Sequence, residues 1–295
     1  MAEITAALVK QLREMTDAGF MECKKALVEA EGDLDKAVDV LRTRGLAQAA
    51  KKAGRATNEG TVACYVSDDA RQAAMVELQC ETDFVGTNAT FVSFAQSLAK
   101  AAAEQKPASV EAFKEMDLEG SSVADALVDK IHTIGENMNL SRICVESVEG
   151  TGAISSYVHM GGKIGILVKF AFEKPETAQA DSFKQFSRDV AMQVAAANPI
   201  SARREDIPQS VIDHEMEIYR AQAEQSGKPA EIQEKMALGR IEKFYKQTVL
   251  TEQEFIKDSE LSISKLAEKV SKEVSDKIEI ISFTRFELGA DQDQD

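Results

Sequence analysis

The stretch TVACYVSDDARQAAMVELQCETDFVGTNATFVSFAQSLAKAAA, residues 61–103, decides the fold, because much of it occurs twice. Shifted by 92 residues, TVACYV (61–66) falls on AISSYV (153–158), AAMVEL (73–78) on GILVKF (165–170), and FVSFAQSLAKAAA (91–103) on FKQFSRDVAMQVA (183–195). Tyr65 lies opposite Tyr157, Phe91 opposite Phe183, and Phe94 opposite Phe186. Self-similarity at a fixed offset implies a repeated structural unit. In each copy two short runs of β character precede a segment with a Phe/Leu/Ala stripe at helical spacing. Two copies of a small α+β unit side by side are the simplest architecture, each with a half-exposed sheet face against a helix.

Outward from the repeat, residues 107–135 read as helical. Val123, Leu127, Ile131 and Ile134 form a stripe there, with Ser122 as the cap. Ile143 to Ser147 is expected to open the second copy's sheet as an extra strand. After the second copy, Pro208 begins a helix to about Gln225, Ser226-Gly227-Lys228-Pro229 breaks the chain, and a second helix runs from about Ala230 to Lys246. Val211, Ile218 and Ala221 are expected to face Ile232 and Met236. With so little apolar surface, this pair reads as a protruding antiparallel helical hairpin whose lysines and glutamates are solvated. Residues 262–274 read as a short amphipathic helix, and 277–289 as a strand returning to the second sheet, followed by the acidic tail DQDQD.

At the other end, residues 1–45 read as a three-helix unit. Ile4, Leu8, Leu12 and Met15 mark the first helix, and Cys23, Ala26, Leu27 and Ala30 the second. Asp33 caps the third, with Leu34, Ala37, Val38 and Leu41 inward and Gly45 as its stop. The division is then 1–45 for the helical unit, 46–56 for a linker, 57–140 for the first core subdomain and 141–200 for the start of the second. Residues 201–250 form the arm, 251–276 return to the core with a short helix, and 277–295 hold the final strand and tail.

A formal charge of -15 over 295 residues argues against broad contact with nucleic-acid phosphates. Arg42, Arg44, Lys51, Lys52 and Arg55 form only a mild basic patch. No N-terminal apolar region or long apolar run suggests export or membrane spanning, so a cytoplasmic protein is expected. Cys23, Cys64, Cys80 and Cys144 are scattered without a CxxC pair and read as small core hydrophobes in a reducing compartment. His132, His159 and His214 lack metal-ligand spacing. His132 and His214 lie in helical stretches and read as ordinary helix residues. No phosphate-binding loop or nucleophile elbow is present. Neither a cofactor nor bond chemistry is therefore expected.

The strongest local candidate is ELQCETDFV, residues 77–85, where Thr82, Asp83, Phe84 and Val85 leave a strand. An ordinary turn would tuck Phe84 into the core. The repeat provides a control: Thr82, Asp83 and Phe84 fall on Lys174, Pro175 and Glu176, so the same unit is built without them. An aromatic beside a carboxylate suits a wedge entering an apolar slot on a partner. His159 is the second asymmetry, standing opposite Ser67 and before Met160-Gly161-Gly162, which reads as a hairpin turn by composition.

These residues resemble the bacterial elongation factor Ts family, the nucleotide exchange factors of elongation factor Tu. LREMTDAGFMECKKAL (12–27) and ELQCETDFV (77–85) are similar to its two signatures. IGENMNLSR (134–142), YVHMGGKIG (157–165), the SGKP turn and RFELG (285–289) also fit. The resemblance implies a UBA-like three-helix domain, two related core subdomains, a helical arm and a C-terminal module. It implies that Asp83 and Phe84 enter the partner's G domain near its Mg²⁺, that Phe84 wedges between helices there, and that GDP leaves. It implies that His159 faces the partner, and that the N-terminal domain, carrying Arg13, Phe20 and Met21, touches the G domain. The second subdomain would grip the partner's third domain, and the C-terminal module would pack on the G domain. Three departures stand out: Asp17 where the family has Gly, Phe20 where it has Met, and Gly86 where Ala or another small residue is usual. Asp17 suggests a backbone angle open to any residue, and Gly86 a more mobile tip. Two other classes compete. An adaptor using the helical domain would bind independently of Phe84, and a small enzyme would need a deep pocket with convergent polar groups.

Overall fold

The computed structural model describes residues 4–16 and 18–290; Asp17 and the acidic tail lie outside them. Three helices open the chain, α1 (Ala6–Thr16), α2 (Phe20–Glu29) and α3 (Leu34–Lys52). Val9, Leu12, Cys23, Ala26, Leu27, Ala37 and Leu41 form their core. Asp33 caps α3 by accepting from the Lys36 amide. Met15, expected inward, is 56% exposed, because α1 turns Val9 and Leu12 to its neighbours and leaves Met15 over a cleft shared with Phe94 and Leu118. Gly45 does not stop α3. The residues after it, Leu46-Ala47-Gln48-Ala49-Ala50, are strong helix formers, so the expected linker is helical as far as Lys52.

The first core unit contains β1 (Glu59–Val66), β2 (Gln72–Cys80), α4 (Asp83–Gly86) and α5 (Ala89–Gln105). It continues through α6 (Val110–Lys114), the short hairpin β3 (Asp117–Leu118) and β4 (Ser121–Ser122), α7 (Val123–Ile134) and β5 (Met138–Ser147). Residues 107–135 are thus not one helical stretch: the chain turns between β3 and β4, with Gly120 at φ +95°. Ser122 does cap α7, accepting from the Asp125 amide. β5 pairs antiparallel with β2, Val76 opposite Ile143, and gives the sheet order β1-β2-β5. The expectation that Ile143 to Ser147 opens the second sheet is therefore corrected. Met138 and Leu140 are buried in the first unit's core, and Ile143 and Val145 pack on it, which fixes the strand there.

The second unit repeats the plan. β6 (Gly152–His159), β7 (Ile164–Ala171) and α8 (Asp181–Ala197) are followed by α9 (Gln209–Glu224) and α10 (Ala230–Thr248). Another short hairpin, β8 (Glu254–Phe255) and β9 (Asp258–Ser262), precedes α11 (Ile263–Val274) and β10 (Glu279–Glu287). The order is β6-β7-β10, so the final strand returns to the second sheet as expected. Each half is therefore a strand pair, a helix, a tiny hairpin, a helix and a third strand beside the second. The α9–α10 pair is an insertion in one half. Its buried seam is Ala223, Ala237 and Ile241; Ala221 and Ile232 stay exposed, contrary to expectation. Small alanines let the two helices close near their turn, and larger side chains are displaced outward.

On one face of each sheet lies its long helix. Phe91, Phe94 and Leu98 of α5 pack with Val76 and Leu78, and Phe183, Phe186 and Val190 of α8 with Ile166, Val168 and Phe170. The other faces meet each other through Val62, Met75, Ile154, Leu167 and Phe286. The sheets are thus covered on both sides, not half-exposed, which is why β2 is buried along nearly its whole length. The close approach needs Gly165, where a Cβ would lie 2.3 Å from Val62 Cγ1 and 2.7 Å from Met75 Sδ.

Candidate functional site

β2 ends at Cys80, and Glu81-Thr82 lead into α4, a single turn that carries Asp83 and Phe84. Thr82 caps that turn, its hydroxyl accepting from the Val85 amide. Phe84 is 83% exposed, whereas Val85 packs against the first core. Asp83 is also exposed. The turn does not hide its aromatic residue; it displays it and anchors itself by the next side chain.

The base of the turn is held from several sides. The Glu136 carboxylate accepts from the Glu81 amide (3.1 Å), the Thr82 amide (3.0 Å) and the Thr82 hydroxyl (2.6 Å). In return, the Glu81 carboxylate accepts from the Asn137 amide (2.6 Å) and from Arg55 Nη1 (3.3 Å). The Cys80 thiol donates to the Thr82 carbonyl (3.2 Å). Burial pushes that thiol up to about 12, with the nearby Glu136 charge acting in the same direction. Burial likewise raises Cys64 to about 12. Gly86 is buried against Gly60: a Cβ on Gly86 would lie 3.0 Å from the Gly60 carbonyl oxygen and 3.2 Å from its nitrogen. Gly86 thus packs its backbone closely on that of Gly60 at the root of the tip.

His159 ends β6, exposed, and its carbonyl accepts from the Gly162 and Lys163 amides across the turn. Tyr157 Oη lies 3.0 Å from His159 Nδ1, and the rings stack with centroids 5.8 Å apart, which fixes the imidazole's orientation. This turn rests on the same short piece of β1 as the α4 tip. The Val62 amide donates to the Gly162 carbonyl (2.7 Å), Lys163 pairs with Glu59 (2.5 Å), and Gly60 meets Gly86. Residues 59–62 are therefore a common footing for Thr82, Asp83, Phe84 and Val85 on one side and the His159 turn on the other.

Arg13, Phe20 and Met21 are exposed on α1 and α2, on a different unit. That unit docks on α7. Arg42 pairs with Asp125 (2.5 Å), and His132 sits between Glu22 (2.8 Å from Nε2) and Gln48 (3.0 Å from Nδ1). His132, expected to be an ordinary helix residue, is a joint between the helical unit and the core. The structure thus unites the tip with the His159 turn and carries the N-terminal trio on a separate helical unit, whose α1 borders the start of α5 across the cleft lined by Met15, Ala89 and Phe94.

Sequence reasoning missed Glu136, Gly60, Glu59 and Lys163. Glu136 and Lys163 lie in IGENMNLSR and YVHMGGKIG, stretches that carry the family resemblance, but neither received a role, because Glu136 is 54 residues from its partner Thr82 and Lys163 is 104 from Glu59. A cavity of about 800 Å³ lies elsewhere, beside α11 and the start of β10, with Asp276 in its wall. Burial raises the Asp276 carboxyl, but hydrogen bonds from the Thr177 hydroxyl and the Lys174 and Glu173 amides outweigh it and hold the group below its ordinary value. Among the described residues no group of three or more His, Cys, Asp or Glu is arranged to hold a metal ion. No described helix is long and apolar enough to cross a membrane.

Comparison with known proteins gives a family model described as "Elongation factor TS", matching residues 81–290, which include the tip, the His159 turn and the arm. Proteins named Elongation factor Ts from Clostridium botulinum Type A are 46% identical over 289 residues, covering 97% of this chain and 92% of the relative. The Clostridium kluyveri protein of the same name is 46% identical over 289 residues, covering 97% and 93%.

Proposed function

The chain belongs to the elongation factor Ts family, and from that premise we propose that it is a guanine nucleotide exchange factor for elongation factor Tu in translation elongation. Members of this family are exchange factors and not catalysts of bond chemistry. The chain binds the GDP-bound partner, inserts Asp83 and Phe84 beside its Mg²⁺ and switch region, and so weakens the hold on GDP. Phosphate contacts and Mg²⁺ order that region in GTPases, so a ring and a carboxylate placed there loosen both. Nucleotide and exchange factor then weaken each other reciprocally, and GTP displaces the factor. No cofactor of its own is required.

The observation that carries this reading is the exposure of Phe84, 83%, on a turn whose base is tied to Glu136 and Gly60. A large ring held rigidly in water loses little freedom on entering a partner's slot. His159 belongs to the same contact surface. Arg13, Phe20 and Met21 provide a second contact from a UBA-like unit with an exposed apolar pair. The α9–α10 hairpin is a protruding arm, and the protein works in the cytoplasm.

The test is release of a fluorescent GDP analogue from elongation factor Tu, followed with and without the chain. Acceleration that saturates with added chain is expected. No acceleration by well-folded protein would end the exchange reading.

A further inference from the structure

We propose that Glu136 is the positioning residue of the exchange tip: its carboxylate sets the angle at which α4 presents Asp83 and Phe84. This rests on the exchange reading above for its functional consequence, but not for its structural content. The carboxylate accepts three hydrogen bonds at once, from two successive amides and the hydroxyl of Thr82. Hydrogen bonds to an ionised acceptor are the strong ones. Glu81 answers by accepting from the Asn137 amide, so two strand ends clasp each other. The same Thr82 hydroxyl caps α4. Thr82 is therefore bonded on one side to Glu136 and on the other to the Val85 amide, inside the single turn that carries Asp83 and Phe84.

The second half of the molecule carries the same clasp without the tip. Asp276, ahead of β10, accepts from the Glu173 amide (3.1 Å), the Lys174 amide (2.9 Å) and the Thr177 hydroxyl (2.6 Å). Glu173 and Lys174 are the positions that the 92-residue offset places on Glu81 and Thr82. In both halves a carboxylate just before the third strand grips the two amides just after the second. The clasp thus belongs to the repeated unit, and one copy has been turned to aim a displayed aromatic ring. Asp276 then serves as an internal control, with matching bonds at a place that carries no tip.

The test compares Glu136→Ala, Glu136→Gln and Asp276→Ala in the full chain. GDP release from elongation factor Tu is measured over a range of chain concentrations. Separately, the anisotropy decay of the indole introduced by Phe84→Trp is followed in each background; the chain has no other tryptophan. Glu136→Ala is expected to lower the maximal release rate about tenfold, the effect of losing roughly one charge-assisted hydrogen bond's worth of preorganisation. Its half-saturating concentration should stay within about twofold, because the wider contact surface is untouched. Asp276→Ala should leave both values unchanged, and Glu136→Gln, which keeps an acceptor oxygen and the shape, should recover most of the loss. The indole should move through a wider cone in Glu136→Ala and not in Asp276→Ala. Equal effects of the two alanine variants on rate would overturn the proposal. So would unchanged indole motion in Glu136→Ala, a measurement that needs no partner and stands even if no exchange is found.

Discussion

Phe84 and Val85 are neighbours in the chain and are treated oppositely by the fold: one ring lies in water while the next side chain packs on the core. Phe84→Ala should therefore leave stability within about 0.5 kcal/mol, as for other exposed positions, which a thermal melt would check. Gly86→Ala should act on the backbone instead. Its new methyl would lie 3.0 Å from the Gly60 carbonyl oxygen, so that contact must open by a few tenths of an ångström, a shift at the tip's base that a changed exchange rate at near-unchanged fold would report. Cys80 gives a chemical probe of the same base. With its thiol raised to about 12, it should resist alkylation at pH 8 in the folded chain and react on unfolding, because the thiolate is the nucleophile; rapid labelling of native Cys80 would contradict the geometry at the tip's root. The Asp-Phe pair was legible in the sequence because the second copy provides a matched position with Pro175 and Glu176. The role of Glu136 was not: it lies in IGENMNLSR, a stretch that carries the family resemblance, but pattern does not encode a partner 54 residues away.

At the scale of elements, the 92-residue offset located β1, β2, α5, β6, β7 and α8, since strand and helix periodicities repeat in register. It could not say which sheet takes a strand lying between the copies. Local pattern does not encode a pairing partner, and β5 was placed by the burial of Met138 and Leu140. The hairpins β3–β4 and β8–β9 have too few residues to show any period. Asp276 ties β10 to the turn after β7, with a pH consequence. Its folded value lies below the ordinary 3.8, so its contribution is present above that value and is lost as pH falls through the lower folded one. Asp276→Asn should thus be less stable than wild type at neutral pH, with the gap closing in acid, as denaturant titrations at several pH values would show. The arm makes a contrasting case. Its seam is three small or medium side chains, so replacing residues 218–238 by a short turn should leave the core's melting transition in place.

At the scale of the whole molecule, two copies of one unit meet sheet to sheet, and their shared edge near residues 59–62 brings the tip and the His159 turn together. The helical unit is joined through α7 by Arg42–Asp125 and the His132 contacts. On the proposed exchange reading, the labour would divide: affinity from the broad contacts, release from the tip. Removing residues 1–52 should then raise the half-saturating concentration and leave the maximal release rate near wild type. The most direct measurement is stopped-flow release of a fluorescent GDP analogue from elongation factor Tu at increasing concentrations of the chain, wild type beside a Phe84→Ala variant of equal melting temperature. The expected result is saturating acceleration by wild type and a maximum at least about tenfold lower for the variant, the loss typical of a single buried aromatic hot spot. Equal maxima would contradict exchange by a wedge at this tip.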